Sequence, residues 1–281
     1  MNEAVLLVAH GARDPGDEGN REVESFAEQW RARHPQAHIE VCWIEHAPTL
    51  LAEGLDRAAA SLDGAGGRVL VLPLILNAAG HVKGDIPEAI AAARERYPAV
   101  EFRCGYQLGT TDQLLKALRY RLHQAMVRLA MPDPQTTGIV LLARGASDRE
   151  ATGEVAKMAH WLFETTQHQL VLPAFTGICF PRLEQVMQRL DLLGASQIIV
   201  LPYYLFTGRL IKRIDQQVQR LRSQYPHRVI EQAGYIGDHE QLFDLLDLRL
   251  QQCREGSARP PCDGCSVALA ADSHTDAAHE H

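Results

Sequence analysis

The chain has 281 residues, of which 46% are hydrophobic and 22% are charged, and its net charge is −7. This composition is typical of a globular protein that is long enough for two domains. The acidic excess argues against nucleic acid as a partner. No apolar run is long enough to span a membrane, so a membrane partner is not expected either. Because Met1-Asn2-Glu3 leads straight into an apolar strand, without a secretory leader, we expect a cytoplasmic protein.

The first half alternates short aliphatic runs with longer amphipathic segments, and buried aliphatic strands that alternate with helices are typical of a parallel sheet covered on both faces. Strands are predicted near residues 4–9, 38–44, 68–76 and 100–104, and helices near 18–33, 48–62, 87–96 and 110–129. The sequence therefore predicts an α/β fold.

The same pattern starts a second time after a stretch with two prolines, residues 131–137. Gly138-Ile-Val-Leu-Leu-Ala-Arg-Gly repeats Ala4-Val-Leu-Leu-Val-Ala-His-Gly, and a later strand that ends in Gly208-Arg repeats one that ends in Gly80-His. We predict two similar α/β domains, each a parallel sheet flanked by helices. The predicted boundaries are 1–130 for the first domain, 131–137 for the linker, 138–253 for the second domain and 254–281 for a Cys- and His-containing tail without a core pattern.

Three side chains at predicted strand ends of the first domain are candidates for chemistry: His10, Glu45 and His81. Ligands of open α/β sheets collect at the carboxyl ends of the strands, so these side chains are expected to share one site. Two imidazoles and a carboxylate suit a divalent first-row metal, and a neutral imidazole also accepts protons near pH 7. His46 is expected to point away from Glu45 if the strand pleat continues.

Four basic side chains are candidates for binding an anionic ligand. Arg13 and Lys83 lie beside the two histidines, whereas Arg144 and Arg209 take the histidine positions in the second domain. Guanidinium groups pair with carboxylates and repel divalent metals, so the second domain is expected to bind substrate and not metal. Neither a Gly-rich dinucleotide motif nor a Walker A motif occurs, so nucleotide dependence is not indicated.

These motifs together carry a family resemblance that extends over residues 4–250. The His10-Gly strand end followed by Arg13-Asp-Pro, and the Gly80-His strand end followed by Asp85-Ile-Pro, resemble those of the sirohydrochlorin chelatases. The resemblance implies two α/β lobes that face a cleft, with ATP-independent metal insertion into sirohydrochlorin. It also implies that His10 and His81, with Glu45, are the catalytic residues that act on the metal and the pyrrole nitrogens.

The tail contains a pair of cysteines, Cys262 and Cys265, together with three histidines. It resembles the metal-binding tail of long CbiX-type cobaltochelatases, some of which hold an iron–sulfur cluster, although a four-cysteine cluster needs further ligands such as Cys253. This favours Co²⁺ and cobalamin synthesis, with Fe²⁺ and siroheme synthesis as the alternative. A metal or tetrapyrrole binding and delivery protein is the non-enzymatic alternative, and the protein is expected to be a monomer or homodimer.

Overall fold

The structure is a computed structural model that describes residues 2–12, 16–62 and 66–257. In these ranges the strands are β1 (Glu3–Ala9), β2 (His38–Trp43), β3 (Gly67–Pro73), β4 (Val100–Cys104), β5 (Thr137–Ala143), β6 (Leu170–Phe175), β7 (Gln197–Pro202) and β8 (Val229–Gln232). The α-helices are α1 (Glu18–Arg33), α2 (Leu51–Ala60), α3 (Ile86–Arg96), α4 (Asp112–Val127), α5 (Arg149–Thr165), α6 (Leu183–Leu192), α7 (Arg209–Gln224) and α8 (Glu240–Glu255). No helix in the described ranges is long and apolar enough to cross a membrane.

The strands form two parallel sheets with the same internal order, β2-β1-β3-β4 and β6-β5-β7-β8. In each sheet the first strand along the chain pairs with the second on one side and with the third on the other. The predicted α/β fold and its internal repeat are therefore confirmed. In this order the chain goes from β1 to β2 on one side and then crosses to β3 on the other side, so the direction of strand addition reverses between β1 and β3. Open α/β sheets place their ligands at such a position.

Each sheet is buried beneath helices, which is why its strands read as continuous aliphatic runs. The first core includes Leu6, Val8, Leu55, Val69, Val71, Ile86 and Ile90, and the second includes Val140, Leu142, Leu183, Val186, Ile198, Val200 and Ile214. Burial of each such side chain contributes roughly 1.5–3 kcal/mol relative to exposure. The cores hold the strands rigidly, so the loops at the strand ends start from well-defined positions.

The segment after β3 differs from the loop that the sequence predicts. Residues His81–Asp85 form one π-helical turn that runs directly into α3, and the backbone N–H groups of Val82 and Lys83 both donate to the carbonyl of Ala79. Asp85, the last residue of this turn, makes no side-chain capping hydrogen bond to α3. Single π-turns are frequent at functional sites.

The compact units cut across the domain boundaries that the sequence predicts. One unit combines residues 1–11 and 24–108 with the end of α8 from Leu246, and the other combines 12–23 with 109–245. In the first unit Arg254 of α8 pairs with Glu3 at 2.8 Å. In the second, Arg121 of α4 donates to the Ile236 carbonyl at 2.8 Å. The helix α4, which follows the first sheet in the chain, therefore belongs to the second unit, and α8 belongs to the first unit from Leu246 onward.

Candidate active site

The ends of β1, β2 and β3 form one edge of the first sheet. Since β1 lies between β2 and β3, the residues that follow these strands come from adjacent positions on that edge. His10 directly follows β1, Glu45 follows β2 after Ile44, and His81 begins the π-helical turn after β3. The side chain of His81 is outside the described part of the structure, so its position relative to the other two candidates stays a prediction.

The described geometry brings His10 and Glu45 together. Hydrogen bonding between the two chain segments continues past the strands, since the Glu45 N–H donates to the His10 carbonyl at 3.1 Å. Nδ1 of His10 then lies 3.6 Å from Oε1 of Glu45, and the two side chains are 29% and 42% exposed. A ligand can therefore reach both groups.

Glycine is required after His10 because the backbone of Glu45 is so close. Gly11 has φ +93°, and a Cβ at this position would lie 1.7 Å from the Glu45 carbonyl oxygen. Side chains other than hydrogen clash there, and L-residues rarely adopt this left-handed conformation. Glycine at position 11 is thus a packing requirement of this contact with the Glu45 backbone.

The hydrogen bond of His10 indicates which of its nitrogens carries the proton. Nδ1 lies 3.1 Å from the Gly11 carbonyl oxygen, which can only accept a hydrogen bond. A neutral ring that donates to this carbonyl carries its proton on Nδ1 and its lone pair on Nε2. A lone pair fixed in this way can bind a metal ion or take up a proton.

His46 belongs to this cluster, contrary to the expectation from the strand pleat. Its Nε2 lies 3.2 Å from Oε2 of Glu45. The pleat ends at Trp43, residues 44–49 form a bent loop, and His46 has φ 56°. Pro48, two residues further on, was a signal that the alternation of the strand would not continue.

The described basic candidates follow strands of the two sheets at different distances. Lys83 is half-buried on the π-helical turn, whereas Arg144, directly after β5, and Arg209, the first residue of α7, are exposed. Arg13 and the tail residues Cys262 and Cys265 lie outside the described residues. Cys253, suggested as a further cluster ligand, is buried and packs its thiol against the Arg103 carbonyl.

In the second unit, Arg144 lies near the hydroxyl group of Tyr204. Burial raises the pKa of the Tyr204 hydroxyl to about 12, although its hydrogen bond with Thr176 and the guanidinium groups of Arg144 and Arg213 lower it. Both arginines are therefore near this hydroxyl. Lys212, which precedes Arg213 in α7, lies 2.9 Å from Oε2 of Glu18. Of these two further basic residues, Arg213 is thus the better candidate for binding an anionic ligand.

The metal coordination set itself is not visible as a complete group. Among the side chains that the structure describes, no three from His, Cys, Asp and Glu are grouped as a metal site. His81 is not among those side chains. What is described is an imidazole–carboxylate–imidazole row, formed by His10, Glu45 and His46.

These observations define the class of protein: a two-copy α/β protein whose first copy carries an accessible imidazole–carboxylate cluster at the carboxyl edge of its sheet. The chain belongs to the CbiX family, whose model matches it twice, over residues 4–125 and 138–253. The two matches agree with the internal repeat.

Named relatives and solved structures of this family match over almost the whole chain. The sirohydrochlorin cobaltochelatase of Priestia megaterium is 34% identical, covering 98% of this chain and 87% of the relative. The sirohydrochlorin ferrochelatase of Bacillus subtilis is 29% identical, covering 96% and 100%. The structure of SirB from Bacillus subtilis with Fe³⁺ superposes with a TM-score of 0.78 at 28% identity, covering 92% of this chain and 100% of SirB. This chain therefore shares the fold of SirB over 92% of its length.

Proposed function

We propose that this protein inserts Co²⁺ into sirohydrochlorin without ATP. The observation that carries the proposal is the similarity to the Priestia megaterium cobaltochelatase, at 34% identity over 274 residues. Fe²⁺ is the alternative metal substrate, because a ferrochelatase is 29% identical over a similar length. The higher identity favours cobalt.

The reaction needs a base and a transient metal ligand at one place. Insertion exchanges two pyrrole N–H protons for one divalent cation, so two protons leave the macrocycle as the metal sheds its water. His10 suits this exchange because its lone pair is held on Nε2 by the Nδ1 contact with Gly11. The Glu45 carboxylate, 3.6 Å away, stabilises the positive charge that His10 gains when it takes up a proton.

His81 is proposed as the second imidazole of the site. Its support is the sheet order, which places the end of β3 beside the end of β1. A few exposed ligands suit a metal that is a substrate, because the ion must leave the protein for the macrocycle. We assign metal binding and proton removal jointly to His10, His81 and Glu45.

The carboxylates of the macrocycle are proposed to bind the arginines and lysine at the strand ends. Arg144 and Arg209 are exposed and occupy the positions that correspond to His10 and His81. Guanidinium groups bind carboxylates through paired hydrogen bonds, which suits a substrate that carries several of them. Arg13 and Lys83 are proposed for the same role in the first copy.

The tail cysteines Cys262 and Cys265 remain candidates for an accessory metal or iron–sulfur site. Burial of the Cys253 thiol makes that residue a poor additional ligand. Such a site would therefore need ligands other than Cys253, for example from a second chain in a homodimer.

Competition between metals tests the proposed function directly. Sirohydrochlorin is mixed with catalytic amounts of protein and with Co²⁺, Fe²⁺ and Ni²⁺, separately and together, without ATP, and the absorbance spectrum identifies the product. Many turnovers per protein with Co²⁺ preferred are expected. A single stoichiometric event would instead indicate a binding or delivery protein, and preferred Fe²⁺ turnover would indicate a ferrochelatase.

A further inference from the structure

The carboxylate of Glu45 lies between two imidazoles. Oε1 is 3.6 Å from Nδ1 of His10, and Oε2 is 3.2 Å from Nε2 of His46. The Glu45 side chain is 42% exposed. A glutamate with this exposure normally samples several rotamers, so a neighbour on each oxygen restricts its orientation.

The loop backbone places these two consecutive side chains together. The N–H of Trp43 donates to the carbonyl of Thr49 at 3.0 Å, which closes the loop, and His46 turns the chain with φ 56°. In an extended strand, residues 45 and 46 would point to opposite faces. Because His46 is left-handed, its imidazole instead lies beside the carboxylate of Glu45.

The second copy of the domain shows that the turn does not depend on an imidazole. There the N–H of Phe175 donates to the carbonyl of Pro181 at 2.9 Å, and Ile178 has φ 65°. Ile178 therefore occupies the position of His46 in the same type of closed loop. The histidine is thus not needed to form the turn, and its role lies in what its side chain contacts.

We propose that His46 is a positioning residue that orients Glu45 for the reaction. An ionised carboxylate can only accept a hydrogen bond, so the nitrogen of His46 that faces Oε2 carries a hydrogen. That contact holds one carboxylate oxygen and leaves Oε1 directed at His10. The inference rests on the proposed function for the role of Glu45, and it adds a residue whose contribution passes through that carboxylate.

A double-mutant cycle on the full chain tests this dependence. His46→Leu should lower kcat for Co²⁺ insertion about tenfold in the wild-type background. In a Glu45→Gln background the same change should alter kcat less than about twofold, because no carboxylate remains to be oriented. His46→Gln, which keeps an N–H donor and has the same unbranched Cβ as leucine, should restore most of the activity that His46→Leu loses. Equal fold-losses in both backgrounds, or a glutamine variant no better than leucine, would overturn the proposal.

Crystal structures of the wild type and of His46→Leu test the geometry without any activity. One ordered Glu45 rotamer with Oε1 towards His10 is expected in the wild type, and loss of that orientation is expected in the variant. An unchanged carboxylate in the variant would overturn the positioning role even if the enzyme turns over. Absent turnover in the wild type would refute the proposed function, and the two structures would still decide the role of His46.

Discussion

The two copies of the domain share a backbone and differ in chemistry. Both sheets have the same strand order, and both loops after the second strand close by an equivalent bridge, Trp43 with Leu50 and Phe175 with Arg182. In this alignment the first copy presents His10, Glu45 and His46 where the second presents Arg144, Gly177 and Ile178. The loop conformation is therefore set by backbone hydrogen bonds and glycine positions, and the side chains on it are free to change role.

The glycines show how closely the scaffold is preserved. Gly11 and Gly145 both have positive φ, and an added Cβ would meet the carbonyl of Glu45 in one copy and of Gly177 in the other. The second copy keeps this close approach of two backbone segments, although Gly177 stands there in place of Glu45 and carries no carboxylate. In the second copy the edge instead carries guanidinium groups, which bind carboxylates and repel divalent metal ions.

The largest difference between the copies should appear when the equivalent residues His10 and Arg144 are each replaced by alanine. His10→Ala should lower kcat for insertion at least about a hundredfold, because a base and metal ligand is lost, and His81→Ala should behave alike. Arg144→Ala should leave kcat within about threefold. Steady-state kinetics measure this, with thermal melting as the control for folding. An active His10→Ala protein would contradict the site.

Gly11→Ala and Gly145→Ala should separate stability from activity. Each substitution should cost at least about 1–2 kcal/mol of unfolding free energy, since alanine is strained at positive φ and meets the facing carbonyl. Only Gly11→Ala should also reduce insertion in the fraction that remains folded, because it displaces Glu45. Urea unfolding and rates at saturating substrates are the measurements.

Gly153 in α5 provides the control for these two glycines. Apart from the adjacent residues and the backbone of the helix itself, no atom lies within 4 Å of an added Cβ there, so Gly153→Ala should stabilise the protein by about 0.5–1 kcal/mol. Equal activity losses in the Gly11 and Gly145 variants would show that the two copies contribute alike to the chemistry.

Arg209→Ala should produce a smaller effect that is confined to substrate binding. The KM for sirohydrochlorin is expected to rise about tenfold with kcat and the KM for metal nearly unchanged, because one charged contact to a carboxylate is lost. Arg220→Ala removes an exposed arginine from the same helix and serves as the matched control. High salt should reduce the difference between the two variants. An unchanged KM for sirohydrochlorin in Arg209→Ala would count against carboxylate binding there.

The smallest effect concerns stability at acid pH. His168, two residues before β6, is buried. Neither of its ring nitrogens has a hydrogen-bond partner among the described residues. At the corresponding place before β2, the first copy has the exposed Gln36. Burial lowers the pKa of His168, so the unfolded chain takes up a proton at a higher pH than the folded chain does. The free energy of unfolding should therefore decline as pH falls below about 6.5, the ordinary histidine value.

Urea unfolding at pH 7.5 and at pH 5.5 measures this decline. His168→Leu should show a smaller decline than the wild type, whereas His123→Gln, at an exposed position, should retain it. If the leucine variant loses as much stability on acidification as the wild type, the buried imidazole is not the cause.

Much of the fold could be predicted from the sequence because the signals are local. The aliphatic run from Val69 and its counterpart from Ile198 are buried strands, and the strand order then brings the ends of β1, β2 and β3 to one edge. The contact of His10 with Glu45 follows from that order. The contact of His46 with Glu45 could not be predicted, since its orientation depends on one left-handed residue in a loop that local alternation does not describe.

By itself, the sequence determined the α/β class, the internal repeat and the strand ends that carry imidazoles or arginines, because burial of aliphatic strands leaves a periodic pattern in the chain. Only the tertiary structure decided to which unit α4 and the end of α8 belong, how His81–Asp85 continues into α3, and that Glu45 lies between two imidazoles. Those features depend on contacts between residues far apart in the chain and on individual backbone angles, and neither leaves a periodic signal.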